Sequence, residues 1–132
     1  MTKETAIIAD FKNALQRFSE ILVEPKTAIT RDAAIQRFEF SFDLAWKVIK
    51  TVLEEKKGII CNSPNECIRE AYQQKFIEYD KKWMQVLKNR NLTAHTYNEK
   101  LIEEIFIELP TALELFTSLL AKIETGCDNL QK

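Results

Sequence analysis

Apolar residues along this chain recur at steps of three and four with charged residues between them, the spacing that sets one helix face against a core. Ile8, Phe11, Leu15, Phe18 and Leu22 form the first stripe and predict a helix from about Thr5 to Leu22. Pro25 ends that segment, because proline lacks an amide donor and restricts the residue before it. A second helix is predicted from about Arg31 to Lys57, capped by Thr30 or Asp32. It carries two adjacent stripes, one of Ile35, Phe38, Phe42, Ala45, Ile49 and Val52 and another of Phe40, Leu44 and Val48. So wide an apolar arc either puts this helix at the centre of a bundle or leaves one stripe for a partner. Gly58 follows a lysine-rich last turn, which suits the negative end of the helix dipole.

Ser63-Pro64-Asn65-Glu66 is a helix-start signal: serine caps, proline occupies the first helical position, and Glu66 reaches back to the cap amide. It predicts a short third helix from Pro64 to about Lys75. A fourth begins near Asp80 and carries Trp83, Met84 and Leu87 toward Arg90. Asn98 caps a last helix that runs to about Thr125 and closes at Gly126, with Pro110 expected to kink or split it. Four long segments with short connections predict an all-α fold, an up-and-down four-helix bundle with an additional short helix. With only two glycines and three prolines, the many tight turns of a β-sandwich or barrel have little to form them. No repeat, low-complexity tract or flexible linker interrupts residues 1–132, which are read as a single helical domain.

Composition narrows the picture. A content of 45% hydrophobic and 30% charged residues belongs to a folded, water-soluble protein. The net charge of −1 provides no global basic field, so any RNA contact must come from a local patch or from patches brought together in a dimer. The three cysteines, Cys61, Cys67 and Cys127, form no CxxC and lie far in sequence from the lone histidine, which argues against zinc. They are read as reduced thiols of a cytoplasmic protein. The N-terminal residues have acidic positions among the apolar ones and no signal-peptide core, and no apolar run is long enough to span a membrane.

The chemistry-bearing stretch is Arg90-Asn91-Leu92-Thr93-Ala94-His95-Thr96-Tyr97, which holds the one histidine of the chain. Arginine offers a planar, permanently charged fork for phosphate oxygens, and histidine moves protons near neutral pH. Together they suit a phosphodiester reaction in which a ribose 2′-hydroxyl attacks the neighbouring phosphorus, with no metal or cofactor needed. A salt-bridge or capping pair at a helix end is the plainer alternative. On an ideal helix His95 is rotated by about 140° from Arg90 while Tyr97 lies almost above it. Arg90 and His95 therefore meet over one substrate only if the helix ends between them, or if a second copy of the chain supplies one of the two.

The stretches Gln36-Arg37-Phe38-Glu39-Phe40-Ser41-Phe42-Asp43-Leu44-Ala45-Trp46-Lys47, Ser63-Pro64 with Ile68-Arg69-Glu70-Ala71, and Arg90 to Tyr97 resemble, in order, the nucleotidyltransferase substrate-binding proteins, a branch of the HEPN superfamily. The resemblance covers nearly the whole chain. It implies a four- or five-helix bundle that dimerises. It also implies a metal-independent endoribonuclease toxin whose R-x4–6-H motif, here Arg90 and His95 with the polar Asn91 after the arginine, faces its symmetry mate. It further implies a minimal nucleotidyltransferase antitoxin that adds AMP to the tyrosine at position 97. On this reading Arg90 clamps the scissile phosphate, His95 shuttles the proton, Asn91 orients one of them, and Thr93 and Lys88 assist in binding RNA. The other function implied by the same family is a non-catalytic subunit that presents a substrate to a two-chain nucleotidyltransferase.

Glu39, Asp43 and Lys47 recur every four residues on one face of the second helix, as an exposed ion-pair ladder or, less plainly, as an acid–base pair. Trp46 and the phenylalanines around it are read as core or dimer interface. Lys81, Lys82, Lys88 and Arg90 give the fourth helix a positive bias, either a solvated face or a track for a phosphate backbone.

Overall fold

The structure is a computed structural model that describes residues 2–78, 81–95 and 98–130, the last four without their side chains. Its described residues form five helices and no strand: α1 (Lys3–Leu22), α2 (Ala28–Lys57), α3 (Pro64–Gln73), α4 (Lys81–His95) and α5 (Glu99–Leu130). The result is the expected helical bundle with an extra short helix.

α2 is the centre of the bundle and packs against each of the other four helices. Its first predicted stripe, from Ile35 to Val52, is buried throughout. The second stripe divides: Val48 is buried, Leu44 half-buried, and Phe40 remains 58% exposed. Opposite α2, Phe116 of α5 is the hub of the core. Its ring centroid lies 6.4 Å from Phe11, 6.3 Å from both Phe18 and Phe38, 6.5 Å from Phe42 and 5.8 Å from Trp83. Side chains from α1, α2, α4 and α5 thus share one aromatic cluster, in which ring contacts add to the burial of large apolar surface.

Helix ends depart from the expectations where polar side chains decide them. α2 starts at Ala28, three residues earlier than the apolar pattern indicates. Its cap is Thr27, because Thr27 and Thr30 form a reciprocal capping box. The Thr30 amide donates to Thr27 Oγ1 at 3.1 Å, and the Thr27 amide donates to Thr30 Oγ1 at 2.7 Å. Gly58 closes the helix in the left-handed conformation, φ 66°. Ser63 caps α3 as expected, while Glu66 accepts from the amide of Asn62, not from the cap. Asn98 caps α5 through a 3.1 Å bond from the Leu101 amide. α5 then continues past Pro110 and Gly126 as one helix, so Pro110 does not split it and Gly126 does not stop it. Pro110 itself is exposed, and the buried Leu109 and Ala112 beside it pack that stretch of the continuous helix on the core.

Two polar ties fix the helices around the site. Arg31, 6% exposed, donates to Asp32, to Glu99 at 2.8 Å and to Glu103 at 2.9 Å, joining the start of α2 to the start of α5. Those bonds, first to Glu99, hold its guanidinium still further into the charged form. Asn89, 4% exposed, accepts from Gln85 at 3.0 Å and donates to Glu108 at 2.6 Å, locking α4 against α5.

The reading of all three cysteines as reduced thiols is corrected: Cys61 and Cys67, both fully buried, are joined in a disulfide. The turn into α3 at Ser63 brings their Cα atoms to 5.2 Å, within bonding range, which spacing along the chain does not disclose. The side chain of Cys127 lies outside the described residues. Among the described residues no helix is long and apolar enough to cross a membrane.

Candidate functional site

α4 carries the site. Trp83, Val86 and Leu87 bury one face of this helix, and Asn89 fastens it to α5. This setting turns Arg90 toward α2. Its Nε and Nη2 donate to the two carboxylate oxygens of Asp43 at 3.2 and 3.1 Å, and its Nη1 donates to Glu39 Oε2 at 2.9 Å. Glu39 and Asp43 stand one turn apart on α2, so one guanidinium spans both carboxylates, a geometry suited to its planar fork. The hydrogen bonds to Asp43 lead in raising the Arg90 pKa above its ordinary value, with partial burial opposing them. The Thr93 hydroxyl lies 3.0 Å from the same Glu39 oxygen and 2.9 Å from the Arg90 carbonyl, completing the cluster.

These contacts replace the expected ladder along α2. Glu39 and Asp43 bond across to α4 rather than along their own helix to Lys47, because α4 packs over that turn of α2 and Arg90 reaches both acids. The pair is the part of the site that sequence reasoning left aside. Its signal was present, two acids spaced i, i+4 on one face, but the identity of their partner was not.

The remaining site residues face elsewhere. α4 continues without a break from Lys81 to His95, so Arg90 and His95 project from one regular helix about 140° apart. His95 is exposed and borders two clefts. One, of about 480 Å³, adds Asp32, Gln36, Glu39 and Thr93; the other, of about 420 Å³, adds Met84, Lys88, Asn91 and Leu92. Neither cleft includes Arg90, whose side chain is 21% exposed and already paired. Asn91 and Lys88 are exposed and share the second cleft with His95. Thus the structure brings Arg90 together with Thr93 and Glu39, and His95 with Asn91 and Lys88, while His95 also shares the first cleft with Thr93 and Glu39. Tyr97 lies outside the described residues. Among the described residues no three His, Cys, Asp or Glu side chains gather as metal ligands would.

The chain is thus an all-helical bundle whose fourth helix carries an arginine and, five residues on, a histidine. Residues 6–125 match the family described as nucleotidyltransferase substrate binding protein like, and the chain belongs to that family. A crystal structure of a protein from Thermus thermophilus is similar to it, with 35% identity, a TM-score of 0.78, and 85% of this chain covering 97% of that one. A chain of the MntA-HpeT toxin–antitoxin complex has the same fold at 16% identity, with a TM-score of 0.75, 92% of this chain covering 97% of that one. Among curated proteins none matches the sequence.

Proposed function

We propose that this protein is the toxin of a toxin–antitoxin pair, a homodimeric, metal-independent endoribonuclease restrained by a minimal nucleotidyltransferase. The observation that carries the reading is the unbroken course of α4 through His95. With Arg90 and His95 turned to different sides of one helix, a site that uses both is completed by a second copy placed across the first. The two exposed histidines then face one RNA strand.

In that composite site one His95 takes the proton of a ribose 2′-hydroxyl as its oxygen bonds to the adjacent phosphorus. The bond from phosphorus to the 5′-oxygen breaks, and His95 of the second copy supplies the proton that the departing oxygen needs. Arg90 leaves one of its two carboxylates to meet the charge that builds on the phosphate, with Asn91 orienting and Lys88 and Thr93 contacting the strand. The products are a 2′,3′-cyclic phosphate and a 5′-hydroxyl. Restraint follows from AMP transfer to Tyr97: the phenol oxygen attacks the α-phosphorus of ATP, pyrophosphate departs, and the adduct sets negative charge and bulk close to His95.

One observation favours a second reading, the non-catalytic subunit of a two-chain nucleotidyltransferase: in the isolated chain Arg90 is taken by Asp43 and Glu39. Cleavage of RNA in EDTA, with cyclic-phosphate ends, separates the two. The toxin reading expects cleavage that disappears in His95→Ala with the circular dichroism spectrum unchanged, and a dimer by light scattering. No cleavage by a purified dimer leaves the substrate-binding reading. Co-expression with a partner nucleotidyltransferase and intact mass measurement test Tyr97; equal neutralisation of wild type and Tyr97→Phe without a mass change removes its assignment.

A further inference from the structure

Beside the Arg90 cluster lies a cleft with a chemistry the reaction above leaves unused. It has a volume of about 510 Å³ between α1 and α2 and is lined by Arg17, Arg37, Phe40, Asp43, Leu44 and Lys47, with one small residue at its edge. On α2, Arg37, Phe40, Leu44 and Lys47 follow at steps of three, four and three, so they share a face. Phe40 is 58% exposed, although the neighbouring phenylalanines at 38 and 42 are buried. A large aromatic ring open to water needs a reason of its own.

The charges around the ring are just as uneven. Arg17, Arg37 and Lys47 set three cations about it against one acid, Asp43, in a chain whose net charge is −1. Asp43 already has both oxygens on Arg90. Among the described residues Arg17 and Lys47 have no ion-pair partner. Arg37 spends one N–H on the Arg17 carbonyl at 2.7 Å, which steadies the guanidinium and leaves its other donors available. By contrast, the cleft that holds Glu39 and His95 has two acids, Asp32 and Glu39, and no lysine or arginine. A ligand suited to the first cleft is polyanionic and carries flat, stackable groups.

We infer that this cleft seats the single-stranded RNA that flanks the scissile bond, one base stacked on Phe40 and its phosphates against Arg17, Arg37 and Lys47. Stacking on an exposed ring with cations tracking the backbone is how single strands are held without sequence preference. Asp43 joins the two regions: it lines the cleft and anchors Arg90, so a strand leaving the cleft passes directly to the arginine. The inference rests on RNA being the substrate, and it assigns to Phe40 a role distinct from core packing.

The test is fluorescence anisotropy of a labelled single-stranded RNA of about ten nucleotides, over a salt series, with His95→Ala protein as the uncleaving parent. Adding Arg17→Gln and Lys47→Gln together should weaken binding at least about tenfold and flatten the slope of log affinity against log salt by about 1.4, two contacts of about 0.7 each. Phe40→Ala should weaken it roughly 5- to 100-fold, and Phe40→Trp should restore it. Unchanged affinity and slope in these folded variants overturns the proposal. So does a Phe40→Ala protein that binds RNA normally yet loses its dimer or its nucleotidyltransferase, which would make the face a protein contact. If the same substitutions made in the wild type leave RNA binding and cleavage unchanged, the cleft assignment fails and the nuclease reading stands. If wild type never cleaves but binds RNA through Phe40, the nuclease reading fails and the cleft stands. No RNA binding by any form ends both.

Discussion

Two arginines of this protein are held by carboxylates across a helix contact, and they differ in what surrounds them. Arg31 is sealed, with a side chain 7% exposed and bonded to three acids that tie α2 to α5. Arg90 is 21% exposed, bonded to two acids on α2, and flanked by the cleft that Asp43 lines. Arg31 cannot exchange its partners without uncovering its own buried guanidinium, although the acids it holds, Asp32, Glu99 and Glu103, are 54, 63 and 40% exposed. On the proposed function Arg90 trades a carboxylate for a phosphate, and its guanidinium, more open than that of Arg31, is the one a ligand reaches. On that reading the same pairing is a fastening in one place and a reserved cation in the other, and the exposure of the guanidinium separates them.

The largest effect that tests this contrast is on activity. Arg90→Gln and His95→Ala are each expected to lower the rate of RNA cleavage by at least about 10²-fold. Arg90→Gln should cost about 1 kcal/mol of stability or less, because Glu39 and Asp43 remain hydrated. Cleavage that survives Arg90→Gln, measured on RNA in EDTA, would make Arg90 a second fastening and nothing more.

Arg31→Gln should do the reverse. We expect the lowest melting temperature of any single ion-pair variant of this chain, with the cleavage rate per folded molecule unchanged. Thermal unfolding followed by circular dichroism, with activity measured well below the transition, checks both halves. A stable Arg31→Gln protein that has lost cleavage would reverse the roles assigned to the two arginines.

Away from both arginines, the Cys61–Cys67 link closes a short loop and should contribute about 2 kcal/mol by limiting the unfolded chain. Urea unfolding with and without reductant measures it, and coincident midpoints would remove that contribution. Cleavage below the transition should be the same in both, since the link lies outside the Arg90 cluster.

The smallest effect is a pH dependence confined to the Arg31 end. Lys26 first, and Arg31 next, hold the Glu103 carboxyl below its ordinary range. A depressed carboxyl contributes stability that is present above the unfolded value of about 4.3 and is lost as pH falls through the lower folded value. Wild type should therefore exceed Glu103→Gln in melting temperature near neutral pH, and the gap should narrow on acidification toward about pH 3. A gap that stays constant with pH would mean that Glu103 acts through shape and not charge.

How much of this was legible in the residues depended on whether the deciding contacts were local. The stripes of α1 and α2 and the Ser63 and Asn98 caps follow from spacing and nearby side chains, which act within a few residues, whereas the spacing left open whether α2 is central or serves a partner. The reach of α4 to His95 did not, because an Arg-x4-His pattern is compatible with a helix that stops or continues, and packing through Asn89 and Glu108 accompanies its continuation. Glu39 and Asp43 were visible as two acids on one face, but only the crossing of α4 over α2 made Arg90 their partner. The same holds for Cys61 and Cys67, for Pro110 inside a continuous helix, and for Phe40 beside three cations. The sequence by itself determined which segments are helical and which residues can bind phosphate or move protons, since period and chemistry belong to the residues. The tertiary structure alone decided which charges are spent on one another and which stay open to a ligand, since that depends on the faces that meet when distant segments pack.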